Sequence, residues 1–365
     1  MKLLNPGRAE WLLRQQRQRA LWEQRQAGHC FARGRTGTGR RPSRSTVVIQ
    51  IPATLMAETF ESRTLVLDVL ASLVRHLSAT DATIKLDWSK VQKIYPGGML
   101  VLLAYLELLS EQWPRRIRIA CPRGSLASQL IRHFGFGPRF GVSEVGNTPR
   151  HSSVLPWRFA TGAHVDGETI LDHIRGVAGH LVSEIPDGLY DALSEAATNV
   201  RQHAYPATSE VPDAMKRWWL FSKSEKATER EDGVIYLAFY DVGVGIPESM
   251  RDCLLGLREK AADLVRSVLA EFGIDDALGQ DAALVRLAVE HRRTRTGLPF
   301  RGKGLPEMKE FVVGTVGGRM TIISGLAQYS VRAESPDATS VKCQRGILGT
   351  LILWSLPLKW KEAKS

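Results

Sequence analysis

Cysteine is scarce in this 365-residue chain, and its four copies stand far apart. Cys30, Cys121, Cys253 and Cys343 form no C-x-x-C pair and share no His spacing of a zinc site. Neither a metal-stapled nor a disulfide-stapled fold is therefore expected. Long apolar runs are missing too. The longest, Met99 to Leu106, stops at Glu107 and falls well short of the roughly 20 residues a membrane-spanning helix needs. The N-terminus is polar and Arg-rich, without the apolar stretch of a secretory leader. No internal repeat stands out. These absences predict a cytoplasmic protein with no membrane partner. Its length suffices for two domains with cores of their own.

The net charge of +11 is not shared along the chain. Residues 1–45 hold eleven basic and two acidic side chains, so nine of those charges belong to this tail. Residues 8–27 have the composition of a polar helix, and 28–45 are Gly-, Ser- and Arg-rich with almost no apolar content, as in disordered segments. Such a tail can hold nucleic acid by neutralising phosphates. It can equally be a solvated tail, or the product of an upstream start codon that the cell does not use. No interleaved aromatics single out the nucleic-acid reading.

From residue 46 the pattern alternates between strand and helix, which predicts an α/β fold of helices packed on sheets. Val47–Ile51, Thr83–Trp88 and Ile117–Cys121 read as strands. Phe60–Leu77 reads as a helix with Leu65, Val69, Leu73 and Leu77 on one stripe, Met99–Gln112 as an apolar helix, and Ser125–His133 as a short one. In element order, residues 46–140 resemble the STAS domain of anti-sigma-factor antagonists. In that family a D-S-S-G turn precedes the apolar helix, and its second Ser is phosphorylated by a partner kinase. The matching residues here are Tyr95, Pro96, Gly97 and Gly98. Gly97 has no hydroxyl, so the resemblance implies docking or scaffolding and not a phosphoacceptor.

Residues 141–165, rich in turn formers, read as a linker into a domain spanning 166–365. There, Asp187–Ala204 reads as a helix starting at Asp187, with Leu189, Leu193, Ala196 and Val200 as its buried stripe. Glu195, Asn199 and His203 recur every fourth residue on a neighbouring face. Strands follow at Arg217–Phe221 and Val234–Asp241, the second running into D-V-G-V-G-I-P. Farther on come R-G-K-G-L-P ahead of an amphipathic helix and G-T at the start of the last strand.

The ordered set E-x-x-x-N, D-x-G-x-G, G-x-G-L and G-T resembles the GHKL ATP-binding fold. That fold is shared by gyrase-type topoisomerases, histidine kinases, mismatch-repair ATPases and anti-sigma-factor serine kinases. The resemblance implies a two-layer sandwich: a mixed sheet covered by helices on one face, behind the smaller STAS-like sheet-and-helix domain. It also implies ATP and Mg²⁺ as cofactors. Asn199 matches the amide that binds Mg²⁺, a role suited to a hard cation that keeps its waters. Glu195 matches the carboxylate that activates the attacking water. Asp241 matches the acceptor of the adenine amino group, and Gly243 and Gly245 let the backbone pass close to the nucleotide. Gly302, Gly304 and Leu305 match the second glycine box, whose N–H groups at a helix start suit phosphate oxygens. Lys303 lies inside that box and is assigned a catalytic role beside Glu195. Thr350 matches the hydroxyl that supports the adenine site through water. His203 is either a position frequent in the serine-kinase branch or a structural His at a helix end. The run from Arg292 through Arg293 and Arg295 to Arg301 falls where the family keeps its lid, and is either a phosphate contact or a solvated loop.

No phosphoacceptor block surrounds His173 or His180, which sets histidine kinases aside. Three readings follow. The first is a regulatory ATPase or nucleotide switch coupled to the STAS-like domain, acting on a protein partner or a second copy of itself. The second is a serine kinase with a separate substrate, and the third a non-catalytic ATP-binding module with a nucleic-acid-binding tail.

Overall fold

The computed structural model of the chain describes residues 45–142, 154–155, 157–163, 167–178, 186–206, 216–225, 232–255, 279–290 and 304–358. The fold is mixed α/β, with one parallel and one antiparallel main sheet. Among the described residues no helix is long and apolar enough to cross a membrane. The basic tail lies outside the described residues.

The N-terminal half runs β1 (Thr46–Gln50), β2 (Thr54–Leu55), α1 (Phe60–Ala79), β3 (Thr83–Asp87), β4 (Lys93–Ile94), α2 (Pro96–Gln112), β5 (Ile117–Ala120), α3 (Leu126–His133) and α4 (Gly137–Phe140). Strands β1, β3 and β5 form a parallel sheet in that order, and β2 pairs with β4. Thr59 caps α1 by accepting from the Ser62 amide at 3.4 Å. The buried side of α1 carries Val66, Val69, Leu70, Leu73 and Leu77, whereas Leu65 is 52% exposed. The predicted stripe is thus corrected by one position at its start.

α2 packs against N-terminal elements and against the C-terminal sheet. Pro96 occupies its first turn, where a missing N–H costs nothing. Nearly every residue from Pro96 to Leu106 is buried, so the helix has no wet face. Its glycines permit two close approaches. A Cβ on Gly98 would overlap the Met56 amide, and one on Gly97 would sit 2.8 Å from Leu353 Cδ2.

The C-terminal half runs β6 (Trp157–Gly162), α5 (Gly167–Ala178), α6 (Leu189–Asn199), β7 (Trp218–Glu225), β8 (Gly233–Asp241), α7 (Ile246–Leu255), α8 (Gln280–Glu290), α9 (Gly304–Gly314), β9 (Arg319–Arg332) and β10 (Ser335–Leu358). Its sheet order is β6-β7-β8-β10-β9, antiparallel at every pairing. The mixed sheet expected for this half is therefore corrected. The stretch 141–165, read as a linker, is corrected as well, because it supplies the edge strand β6.

Period-two alternation is apolar on both faces of this sheet. Trp218, Leu220, Ile235, Leu237, Phe239, Ile352, Trp354 and Leu356 meet the helices of the C-terminal half. Trp219, Phe221, Ala238, Tyr240, Leu351 and Leu353 meet the N-terminal half. α2 packs on β7 and β8. The antiparallel sheet is accordingly covered on two sides, where a single covered face is the commoner arrangement. Polar contacts pin the same seam. Glu107 on α2 accepts from Trp219 Nε1 at 2.7 Å and from Arg217 Nη1 at 3.2 Å. The buried Arg63 guanidinium donates to Gln328 Oε1 at 2.9 Å and to the free thiol of Cys343 at 3.1 Å.

Candidate functional site

α6 begins at Leu189, two residues later than the sequence suggests. Gly188, at φ 87°, is its N-cap, a backbone conformation that an Asp at this point would enter only with strain. Leu189, Leu193, Ala196 and Val200 are buried along one stripe. After Asn199 the helix widens into a π-turn over Val200–Ala204. Such turns recur at functional sites because they re-aim the residues on either side. Here the turn carries His203 to an exposed position.

The widened end of α6 receives the D-V-G-V-G loop. The Ala204 carbonyl accepts from the Val244 amide at 2.9 Å. A Cβ on Gly243 would overlap that same carbonyl, so only glycine lets the loop dock. Gly245 sits at φ +81°, with Ser324 Oγ and the Gly349 carbonyl about where a side chain would go. Gly349, at φ +69°, lies against Asp241 itself.

Asp241 ends β8 opposite Thr350 and opposite Trp218, on the parity that faces the helix layer. It is only 5% exposed. Gly243 N–H donates to Asp241 Oδ1 at 2.8 Å. Burial pushes the Asp241 carboxyl up to about 7, against the pull of the Gly243 and Thr350 backbone N–H groups. Two residues that sequence reasoning missed complete this wall. The Tyr205 hydroxyl donates to the Arg217 carbonyl at 3.0 Å and accepts from the Val242 amide at 3.4 Å. Burial, then the Asp241 charge, raises its hydroxyl pKa further.

Ser324 is the other. Its hydroxyl donates to the Gly349 carbonyl at 2.9 Å and accepts from the Ile246 amide at 2.9 Å. Its only proton is therefore committed, so in the 3.0 Å contact between Ser324 and Thr350 it is Thr350 that donates. The lone pairs of Thr350 are left to accept from a ligand or a water. The signal in the sequence was faint: a Ser-Gly pair interrupting an apolar strand.

Across the π-turn, α9 meets α6. Gly304 opens α9 against Glu195 and Asn199: a Cβ there would stand 2.5 Å from Glu195 Oε2 and 3.2 Å from Asn199 Nδ2. Leu305 packs partly buried on the helix-side core. Among the described residues Asn199 Nδ2 is buried without a hydrogen-bond partner, one of five such side-chain atoms. Burial raises the Glu195 carboxyl pKa, and the charges of Glu307 and Asp191 add to the rise. Among the described residues no group of three His, Cys, Asp or Glu side chains is placed to hold a metal. A cation here would have Asn199 as its protein ligand, and water or ligand oxygens for the rest.

Gly302, Lys303 and the arginines 292, 293, 295 and 301 lie outside the described residues, as does His180. His173 is buried, with Nε2 2.8 Å from Ser222 Oγ. Burial, with Arg158 adding to it, lowers His173 to about 3, so its imidazole is neutral within the core. Compared with known proteins, the chain matches no family model, no curated protein and no solved structure.

Proposed function

We propose that the chain is an Mg-ATP-binding regulatory ATPase of GHKL type, with the STAS-like half built onto the back of its sheet. The observation that carries this is the convergence of one buried carboxylate, four close-approach glycines and an amide without a hydrogen-bond partner among the described residues, around the end of α6. Asp241 offers a fixed acceptor for an exocyclic amino group, and Thr350 a second acceptor beside it. Asn199 would hold Mg²⁺ through its amide oxygen, the two ends of the amide exchanging on rotation of the side chain. The ion would neutralise phosphate charge. Glu195, one helical turn from Asn199, accepts a proton from the attacking water. Its raised pKa suits a base that works near neutrality.

The serine-kinase reading keeps the same site but needs a separate substrate. Gly97, at the position of the STAS phosphoacceptor, is buried against Leu353 on the face of the sheet away from Asp241 and Thr350. That position offers no hydroxyl to phosphorylate, which weighs against the kinase reading there.

The test is phosphate release from Mg-ATP by the full-length protein and by Glu195→Gln, at high enzyme concentration over hours. Wild type is expected to release phosphate and the variant to lose at least about 100-fold of that rate while still binding ATP. Equal release from both would remove Glu195 from the chemistry. Bound ATP without release by either, together with label transferred to a protein in a cell extract, would favour the kinase.

A further inference from the structure

The N-terminal half carries a second concave surface, built from the end of α2, β5 and α4. It is a cleft of about 510 Å³ whose walls include Arg115, Arg118 and Arg139. Pro114 and Pro138 add apolar ledges. Among the described residues Glu111 is the only acid that lines it, and no aromatic ring does.

The three guanidiniums are free or only weakly held. Among the described residues the Arg115 and Arg118 guanidiniums have neither a hydrogen bond nor an ion pair. Arg139 reaches only Glu107, at 3.6 Å and with its side chain 41% exposed, a pairing worth little in water. Glu107 loses nothing essential if Arg139 leaves, since Trp219 and Arg217 already hold it. Glu111 is turned to Arg217, 3.9 Å away. The contrast with the next residue in the chain is sharp. Arg116 points inward, donating to the Leu77 carbonyl at 2.9 Å and the Ala82 carbonyl at 2.8 Å, where it closes the end of α1. Arg115 points outward from a turn that holds it at φ 63°, the one non-glycine with positive φ among the described residues.

Three like charges along one partly enclosed wall raise the local potential and draw an anion. Guanidinium forks match phosphate oxygens in pairs. A cleft without an aromatic platform has no surface on which a base would stack, while its proline ledges suit flanking peptide. We propose that this cleft binds a phosphorylated side chain on a protein partner, docking that partner on the N-terminal half. The proposal does not depend on the nucleotide site.

The test uses the full-length protein without nucleotide. A fluorescent pentapeptide with one phosphoserine and neutral flanks is titrated beside its unphosphorylated form. The phosphopeptide is expected to bind, its affinity falling with salt and dropping about tenfold or more in Arg118→Ala/Arg139→Ala. The unphosphorylated form should not bind. If the double alanine variant melts early, Arg118→Lys/Arg139→Lys serves instead: it keeps the charge and loses the fork, and partial loss of binding is expected. Unchanged affinity in a folded variant overturns the proposal. So does displacement at equal concentration by inorganic phosphate, which would mean a small-ion site, or by a short RNA, which would mean a nucleic-acid site.

Discussion

If the chain binds nucleotide as proposed, Asp241→Asn is expected to lower that affinity by about 100-fold and to stabilise the ligand-free protein above pH 7. The affinity loss follows from donor facing donor: an amide cannot accept with the charge of a carboxylate, and the buried mismatch adds to the lost bond. The stability gain follows from burial. Asp241 is raised from 3.8 to about 7, so the folded protein holds a proton that the unfolded chain has released. Stability is therefore lost as pH rises from about 4 to about 7, and the loss persists above it. Asn does not ionise, yet its Oδ1 can still accept from the backbone. The variant should recover up to about 4 kcal/mol at pH 8 and almost nothing at pH 4. Thermal melts at those two pH values check the account, and equal shifts at both would refute it. Adenosine, which has no phosphate to titrate, should bind wild type more tightly at pH 8 than at pH 6, because the ionised carboxylate is the acceptor. Retained binding by the variant would remove Asp241 from base recognition.

Gly349→Ala is expected to destabilise the protein by about 4 kcal/mol or more and, with it, to remove the proposed nucleotide binding. The added Cβ would overlap the Asp241 carbonyl, and the residue sits at φ +69°, where L side chains are strained. Backbone and not a flexible side chain stands in the way, so nothing can yield without unpairing Thr350 from Asp241. Gly314→Ala is the control. Nothing lies within 4 Å of a Cβ there, at the end of α9, and the change should be neutral or stabilise by about 0.5–1 kcal/mol. Urea melts of the two variants test this directly, and a Gly349→Ala variant as stable as wild type would show that the G-T turn is not tightly packed.

The parts of the site that could be read from the sequence are those where a residue type has one strong physical reason. The apolar stripe of α6 at Leu189, Leu193, Ala196 and Val200 was visible because one face of that helix is wet. Gly243, Gly245 and Gly349 were visible because glycine is used where a Cβ cannot fit. Ser324 and Tyr205 were not, because a hydroxyl that satisfies two or three partners across distant segments leaves no local pattern. α2 showed no periodicity, since a helix buried all round has none to show. For the same reason the sequence could not announce that the sheet is covered on both sides. β6 hid among turn formers, its edge position making few demands on its residues. The start of the line Glu195, Asn199, His203 was legible, but the π-turn that takes His203 off it depends on the docking of Gly243.

The seam along α2 has a consequence for how the two halves can communicate and how they can be inherited. If the N-terminal half were absent, Trp219, Phe221, Tyr240, Ile323, Leu351 and Leu353 would face water. At about 1.5–3 kcal/mol for each large apolar side chain, that exposure rivals the about 5–15 kcal/mol that holds a whole domain together. The halves should then melt as one cooperative unit, and neither can be exchanged for a homologous module without rebuilding the face it packs on. A swing of one half about a hinge is closed to this architecture. A signal that crosses it has to pass as a small repacking around α2, with Tyr240 leading directly into Asp241.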